Sequence, residues 1–497
     1  MYKSNKVPGK KAYPAIIAAF KKNRNGLTPG DISAKTGLPL NEVKELVSLA
    51  SDEYSARLEV TESGEILYSL PNGFHSRYRG LFPVLKRFLS SSVQLLKTTL
   101  VFMFKTWIMI MLFGYFLLFM ALAFASVFIS VSGSSGSGSR RGRGGWHFSG
   151  GIFNMIFRLW FYSEVFGRNG RRNGSSLQYR TSSAVKGKPL HRAVFSFVFG
   201  EEDPNRERET GEKKAFISYV RKKRGVVSVP ELMIITGLPP MEAEKKIASF
   251  SAEFGGSPEV TGDGSIVYRF EEILLSGEKA EDQSTDPPNP FLKTLKKFSG
   301  NQSKMNLWFG ILNGINLLFG TWFFYHSYSI GNILNEAALR AAGIYGMVYY
   351  FLLRLGTAPL PVIRLVLGFI PLSFSLLFWL IPFVRSLLLK KENNMLRLDN
   401  FRSFGFSRIW KKPKELKLSN LDPKEEIYRP DNLDAARETV LKEMSSYSAP
   451  EVILDENQNE VFSFPELERE KEALEKYRLS FDQKGALTGK TIFDTGQ

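Results

Sequence analysis

An uninterrupted run of 34 residues, Thr106–Ser139, carries no charged side chain and no histidine. Its centre, WIMIMLFGYFLLFMALAFASVFISV (Trp107–Val131), is long enough as a helix to cross the ~30 Å hydrocarbon layer of a bilayer. A core helix of a water-soluble domain keeps a polar face, and none can be drawn here. The run therefore predicts an integral membrane protein. Two further uncharged runs agree: Met305–Asn335, and Leu365–Val384, which ends against Arg385 and Lys390–Lys391. Ala341–Leu353 is only thirteen residues long before Arg354, which suits a re-entrant segment. Gly151–Gly167, with Trp160, Phe161 and Tyr162 beside Arg158 and Glu164, suits a helix lying in the headgroup zone. Residues 1–30 show no signal-peptide core.

Charge sharpens that reading. The chain has 497 residues and a formal net charge of +17. Residues 132–192 hold eleven Lys/Arg against one acid, and residues 385–417 hold ten against three, which is the whole surplus. Basic residues beside membrane segments resist translocation and attract anionic headgroups. Arg140, Arg141, Arg143, Arg385, Lys390 and Lys391 are therefore expected at the cytoplasmic lipid surface. Lys293, Lys296, Lys297 and Lys304 precede the second run, so two full spans plus a re-entrant 341–363 keep both basic flanks on one side. Lysines and arginines flank both ends of the first run, whose orientation stays unassigned. Ser132–Gly145 (SGSSGSGSRRGRGG) reads better as a flexible linker with topogenic charge than as an RGG-type nucleic-acid tract.

The soluble parts contain a repeat. Residues 36–70 (TGLPLNEVKELVSLASDEYSARLEVTESGEILYSL) and 236–270 (TGLPPMEAEKKIASFSAEFGGSPEVTGDGSIVYRF) share thirteen of thirty-five positions at a constant offset. Each copy parses as helix (Pro14–Lys22 or Lys213–Lys223), short strand, helix opened by Pro29 or Pro230, a Thr-Gly-Leu-Pro turn, helix, and hairpin around Ser-Gly or Asp-Gly. That order predicts two winged-helix-like repeats. Glu451–Leu467 (EVILDENQNEVFSFPEL) resembles a third hairpin, either a degenerate copy or an unrelated ribbon.

A groove-reading helix needs cations for phosphates. The candidate interaction helices instead mix Glu42, Lys44 and Glu45 in the first copy, and Glu242, Lys245 and Lys246 in the second. Residues 13–70 hold six Lys/Arg against eight acids. The partners expected are thus membrane lipids and other membrane or cytoplasmic proteins, and the balance argues against nucleic acid. Arg221–Arg224 is the one basic cluster within a repeat.

Chemistry is excluded more easily than assigned. With no cysteine there is no disulfide framework, thiol nucleophile, thiolate zinc site or Cys-ligated iron–sulfur cluster. The histidines (His75, His147, His191, His326) are scattered. GALTGKT (Gly485–Thr491) is one residue short of phosphate-loop spacing and follows a polar stretch rather than a strand. No catalytic, cofactor-binding or metal-ligating residue emerges, and the chain is read as a non-enzyme without cofactor. Glu336, Arg340, Arg354 and Arg364 lie between or beside membrane segments and raise a transport reading, but each fits an interfacial position by snorkelling.

In TPGDISAKTGLPLNEV, LEVTESGEILYSLP, VFSFVFGEEDPN (Val194–Asn205), the second copy ending VYRF, and FPELEREKEALEKYR, the chain resembles a poorly characterised family of membrane proteins of cyanobacteria and the chloroplast inner envelope. The resemblance implies a membrane-anchored scaffold and, in plastids, association with the envelope protein-import machinery. Plant relatives sometimes carry an iron–sulfur-biosynthesis label, which does not suit a cysteine-free chain.

The expected fold is thus α+β modules on an α-helical membrane protein, with two winged-helix-like repeats and three to four membrane segments. The expected divisions are module 1 (1–75), a basic linker and first transmembrane helix (76–131), and a basic loop (132–192) with its interfacial segment 151–167. Module 2 (193–272), a linker (273–304), a transmembrane and re-entrant region (305–385) and a C-terminal tail (386–497) with a hairpin near 451–464 follow. The expected function is a scaffold or adaptor for protein–protein interaction at an inner or cytoplasmic membrane, its modules facing the cytoplasm. The alternatives are a membrane-tethered nucleic-acid binder or a component of a transport or translocation assembly.

Overall fold

Proline, glycine and short polar caps cut the chain into brief elements at both repeats, while the apolar runs extend into long helices. A computed structural model describes residues 12–23, 26–62, 64–70, 81–132, 188–274, 290–329, 339, 342–454, 460–480 and 491–495. The described residues are mostly helical, with three small sheets. Along the chain run α1 (Ala12–Lys22), α2 (Pro29–Thr36), α3 (Leu40–Tyr54), β1 (Arg57–Thr61), β2 (Ile66–Ser69), α4 (Leu81–Ser132), α5 (Leu190–Phe199) and α6 (Arg208–Lys222). There follow β3 (Val226–Val227), α7 (Val229–Thr236), α8 (Pro240–Phe254), β4 (Gly256–Val260), β5 (Ile266–Phe270), α9 (Ser303–Ser329) and α10 (Ile344–Arg354). Last come α11 (Ile370–Lys411), β6 (Leu416–Lys417), α12 (Leu433–Tyr447), β7 (Glu451–Leu454), β8 (Glu460–Ser463), α13 (Pro465–Leu479) and β9 (Thr491–Asp494). They fall into two compact units, one of Met1–Val101, Phe199–Gly300 and Pro382–Gln497, the other of Phe102–Val198 and Asn301–Ile381.

In the first unit, the repeated segments share their local devices. Thr28 and Asp31 form a reciprocal capping box on α2, and on α7 the Glu231 carboxylate accepts from Ser228 N–H at 3.2 Å, with proline in the first turn of each helix. Gly37 and Gly237, at φ +75° and +70°, end those helices in the left-handed conformation that other residues adopt only with strain. The leading helix of the second copy begins at Arg208 rather than Lys213, because Arg208–Glu212 and Lys213–Glu209 pairs one turn apart support an extra turn.

The strand register repeats as well. Leu27 bridges Tyr68, Val227 pairs with Tyr268, and Leu416 pairs with Phe462, so in each case a short strand meets the aromatic residue of the hairpin's second strand. The sheet orders β3-β5-β4 and β6-β8-β7 are the same. The first sheet differs in its far edge, where β9 joins β1 antiparallel. The described part of residues 386–497, expected as a mixed-charge tail, therefore builds a helix–strand–helix–hairpin segment; its middle holds one-turn 3-10 helices where the two segments that share sequence hold α2 and α7.

Burial explains why α11 continues past its apolar run to Lys411. Phe401, Phe406, Ile409 and Trp410 pack with Phe216, Phe250, Phe254, Phe270, Val440, Phe464 and Leu474 into one core joining the second and third segments. Phe216 anchors it, with ring centroids 4.5 Å from Phe250 and 5.3 Å from Phe270. The first segment keeps its own smaller core of Ile16, Phe20, Leu27, Ile32, Val43, Leu46 and Val47.

The second unit packs the apolar helices. Among the described residues, three helical stretches, Thr98–Ser126, Ser303–Ser329 and Pro359–Lys411, are long and apolar enough to cross a membrane. Ile108, Leu112 and Phe116 of α4 pack against Ala193, Val194, Phe309, Leu312 and Phe378. Buried amides bind the bundle further: Asn313 Nδ2 donates to the Ser375 carbonyl at 3.0 Å, and Asn316 Nδ2 to that of Leu112 at 2.8 Å. Residues Ile363–Phe369 wind as a π-helix, whose last turn bonds Ile370 N–H to Leu365. Pro371 cannot continue that ladder, and the Val366 carbonyl left over accepts from Tyr115 Oη at 2.9 Å. The predicted re-entrant stretch holds the short helix α10.

Candidate interaction surface

The structure brings the candidate interaction helices side by side: α3 packs on α8, and α8 on α12. Their apolar stripes, Val43, Leu46, Val47 and Ala50 on α3 and Ala243, Ile247 and Phe250 on α8, are buried. Glu45, Glu242 and Lys245 are exposed, and Glu42 is half-buried. Lys44 forms a 2.7 Å ion pair with Glu272. Lys246 is 3.2 Å from Glu212 and lies over the Phe250 ring.

Three residues of the basic cluster are engaged within the fold, while Lys222 is exposed. Arg221 Nη1 reaches Asp31 Oδ1 at 2.9 Å, while its Nε donates to the Ile273 carbonyl. Lys223 is buried beside the Tyr219 ring, and Arg224 donates to the Arg478 carbonyl. Asp31 is the capping-box carboxylate of α2, 1% exposed. Its counterpart Glu231 on α7 is held by Arg478 Nη2 at 2.6 Å and by Tyr219 Oη at 2.6 Å. Arg478 also donates to the Val226 carbonyl at 2.7 Å. Each buried cap thus receives an arginine from a later segment: α6 serves α2, and α13 serves α7. Burial, reinforced by the Glu231 charge, pushes the Tyr219 phenol well above its usual range. Burial likewise raises the Glu470 carboxyl to about 7, although Tyr447 Oη donates to both its oxygens at 3.0 Å.

A second built feature surrounds the loop in VFSFVFGEEDPN. Asn400 and Asn393, seven residues apart on α11, each clasp an extended strap by both backbone groups. Asn400 accepts from Lys293 N–H at 2.7 Å and donates to its carbonyl at 2.8 Å. Asn393 does the same to Lys296, at 2.9 and 2.8 Å. The loop grips the strap too: Glu201 accepts from Gly300 N–H, Asn205 bonds both backbone groups of Thr294, and Asp203 pairs with Lys296 at 2.9 Å. The Asn205 N–H, followed by Lys296, holds the Asp203 carboxyl below its usual range. Arg385, expected at the lipid surface, lies over the Phe298 ring, 4.3 Å from its centroid, and donates to the Phe298 carbonyl at 2.5 Å. Lys390 and Lys391 are exposed on α11.

Several expected sites, Arg140, Arg141 and Arg143, the segment 151–167, Glu336, Arg340 and residues 485–490, lie outside the described residues. Arg364 stacks on Tyr328 at 3.9 Å and donates to the Ser327 carbonyl at 3.2 Å. Sequence reasoning marked the helix starts by Pro29 and Pro230 and missed Asp31 and Glu231, whose arginines stand 190 and 247 positions away. It also missed the Asn393–Asn400 spacing, legible only once the strap is known to lie beside it.

The chain is 22% identical over 435 residues, spanning 83% of its own length and 75% of the relative's, to an uncharacterized chloroplastic protein of Arabidopsis thaliana. No family model matches it, and no solved structure does. The Arabidopsis likeness agrees with the chloroplast side of the resemblance drawn from the sequence.

Proposed function

We propose that the protein is a membrane-anchored scaffold whose winged-helix-like modules, two sequence repeats and a third of the same strand register, bind other proteins at the membrane. The observation that carries this reading is the fate of the cations a nucleic-acid reader would need. Lys44, Lys246 and Arg221 are each paired with a carboxylate, and Arg224 with a backbone carbonyl. A phosphate backbone would have to displace those partners. Exposed Met241, Val260 and Ile266 on the second module are chemistry for a protein partner instead. The basic flanks of the apolar helices support an inner or cytoplasmic membrane with modules on the cytoplasmic side.

A photo-crosslinking residue at Lys245, exposed on α8, tests the reading in native membranes. Discrete protein adducts identified by mass spectrometry are the expected result. Adducts that disappear with nuclease, or lipid adducts alone, would refute it.

A further inference from the structure

The outer edges of the three sheets share one register and differ in chemistry. Pairing opposite Ser69, Arg269 and Ser463 aligns Arg57, Ser257 and Glu451; pairing opposite Tyr68, Tyr268 and Phe462 aligns Leu58, Pro258 and Val452. At the first edge, Leu58 turns its backbone outward. Its N–H donates to Thr495 Oγ1 at 2.9 Å, and its carbonyl accepts from Thr495 N–H at 3.0 Å, so the C-terminal strand closes the sheet. At the second edge Pro258 has no N–H to offer, a device that blunts strand addition. At the third, Val452 keeps its donor, and among the described residues β7 is the last strand of its sheet. Val452, Ile453 and Leu454 are 57%, 54% and 64% exposed. An apolar, unblunted edge is a template for an added strand.

Charge specifies what is added. Arg57 Nε donates to Asp494 Oδ1 of the incoming β9 at 2.7 Å. The same position on β7 carries Glu451. We propose that the outer edge of β7 docks an extended segment of a partner protein, apolar in its middle and carrying lysine or arginine where β9 carries Asp494. The proposal rests on the scaffold reading and names the surface through which it acts.

The test uses the full chain in detergent micelles and two labelled hexapeptides of residues 490–495, one native and one with Asp494→Lys. The lysine peptide binds roughly fivefold tighter than the native one, the worth of one exposed charge pair. Val452→Pro, which copies the second module's own residue, weakens it about tenfold by removing one outward hydrogen bond. Glu451→Lys, which leaves the backbone intact, reverses the peptide preference. Equal binding to Val452→Pro, or no binding of either peptide, would overturn the proposal. A dimer of the chain that Val452→Pro dissociates would make the occupant a second copy and overturn it as well. Crosslinked partners that persist in Val452→Pro would overturn this site alone and leave the scaffold reading standing.

Discussion

Replacing Arg478 with methionine isolates the coupling between α13 and the second module. Methionine keeps most of the side chain's bulk and removes its charge. Arg478 is 3% and Glu231 1% exposed, so the variant leaves a buried carboxylate without its cation. It also takes the 2.7 Å Nη2 donor, and the longer Nε contact at 3.3 Å, from the Val226 carbonyl. Breaking a buried pair by removing one partner costs about 3–5 kcal/mol. Tyr219 still donates to Glu231 at 2.6 Å, which places the expected loss at the lower end, about 3 kcal/mol. Hydrogen exchange followed by mass spectrometry reads this directly: amides of β3 and α7 should exchange roughly a hundredfold faster in Arg478→Met. Adding Glu231→Gln removes the stranded charge, so the double variant should recover part of the loss. A change below about 1 kcal/mol, or strictly additive variants, would refute a coupled buried pair.

The raised carboxyl of Glu470 predicts a pH dependence of a definite sign. Its folded value of about 7 exceeds the unfolded one, so the folded state holds the extra proton between the two and stability falls as pH rises from about 4.5 to 7. The full effect is on the order of 3 kcal/mol. Protection factors in α12 and α13, taken relative to the intrinsic exchange rate, should therefore fall between pH 5 and 7, and Glu470→Gln should flatten that profile; a profile unchanged by the substitution would contradict the assignment. In the second unit, a Cβ on Gly368 would stand 2.9 Å from Phe324 Cα, whereas one on Gly314 would meet only Trp379 Cζ2 at 3.9 Å. Gly368→Leu should lower the melting temperature of the detergent-solubilised chain by several degrees and Gly314→Ala should leave it within about one; equal effects would show that helix approach does not limit packing there.

Much of the local structure is legible because its causes are local. Thr28-Pro29-Gly30-Asp31 and Ser228-Val229-Pro230-Glu231 announce helix starts, Gly37 and Gly237 announce helix ends, and the alternation around Gly64 and Gly264 announces hairpins. The third segment was half-hidden, because 3-10 turns near Leu418–Leu421 and Glu426–Tyr428 stand in for its second helix and leave no helical period to read. Arg385 shows what position beside an apolar run does not reveal: a tertiary neighbour, Phe298, supplies it both a ring face and a carbonyl.

The sequence by itself determined that the chain has helices long and apolar enough to span a bilayer, that residues 36–70 resemble residues 236–270, and that it holds no cysteine. Those properties follow from composition within windows of ten to thirty residues, where chain connectivity guarantees proximity. Only the tertiary structure decided that arginines from later segments neutralise the two buried caps, that asparagines on α11 hold the strap, and that β9 closes one sheet edge while β7 is the last strand of its sheet among the described residues. Partners separated by hundreds of positions leave no spacing to read, since what selects them is low-dielectric burial and register, and both exist only after the chain has folded.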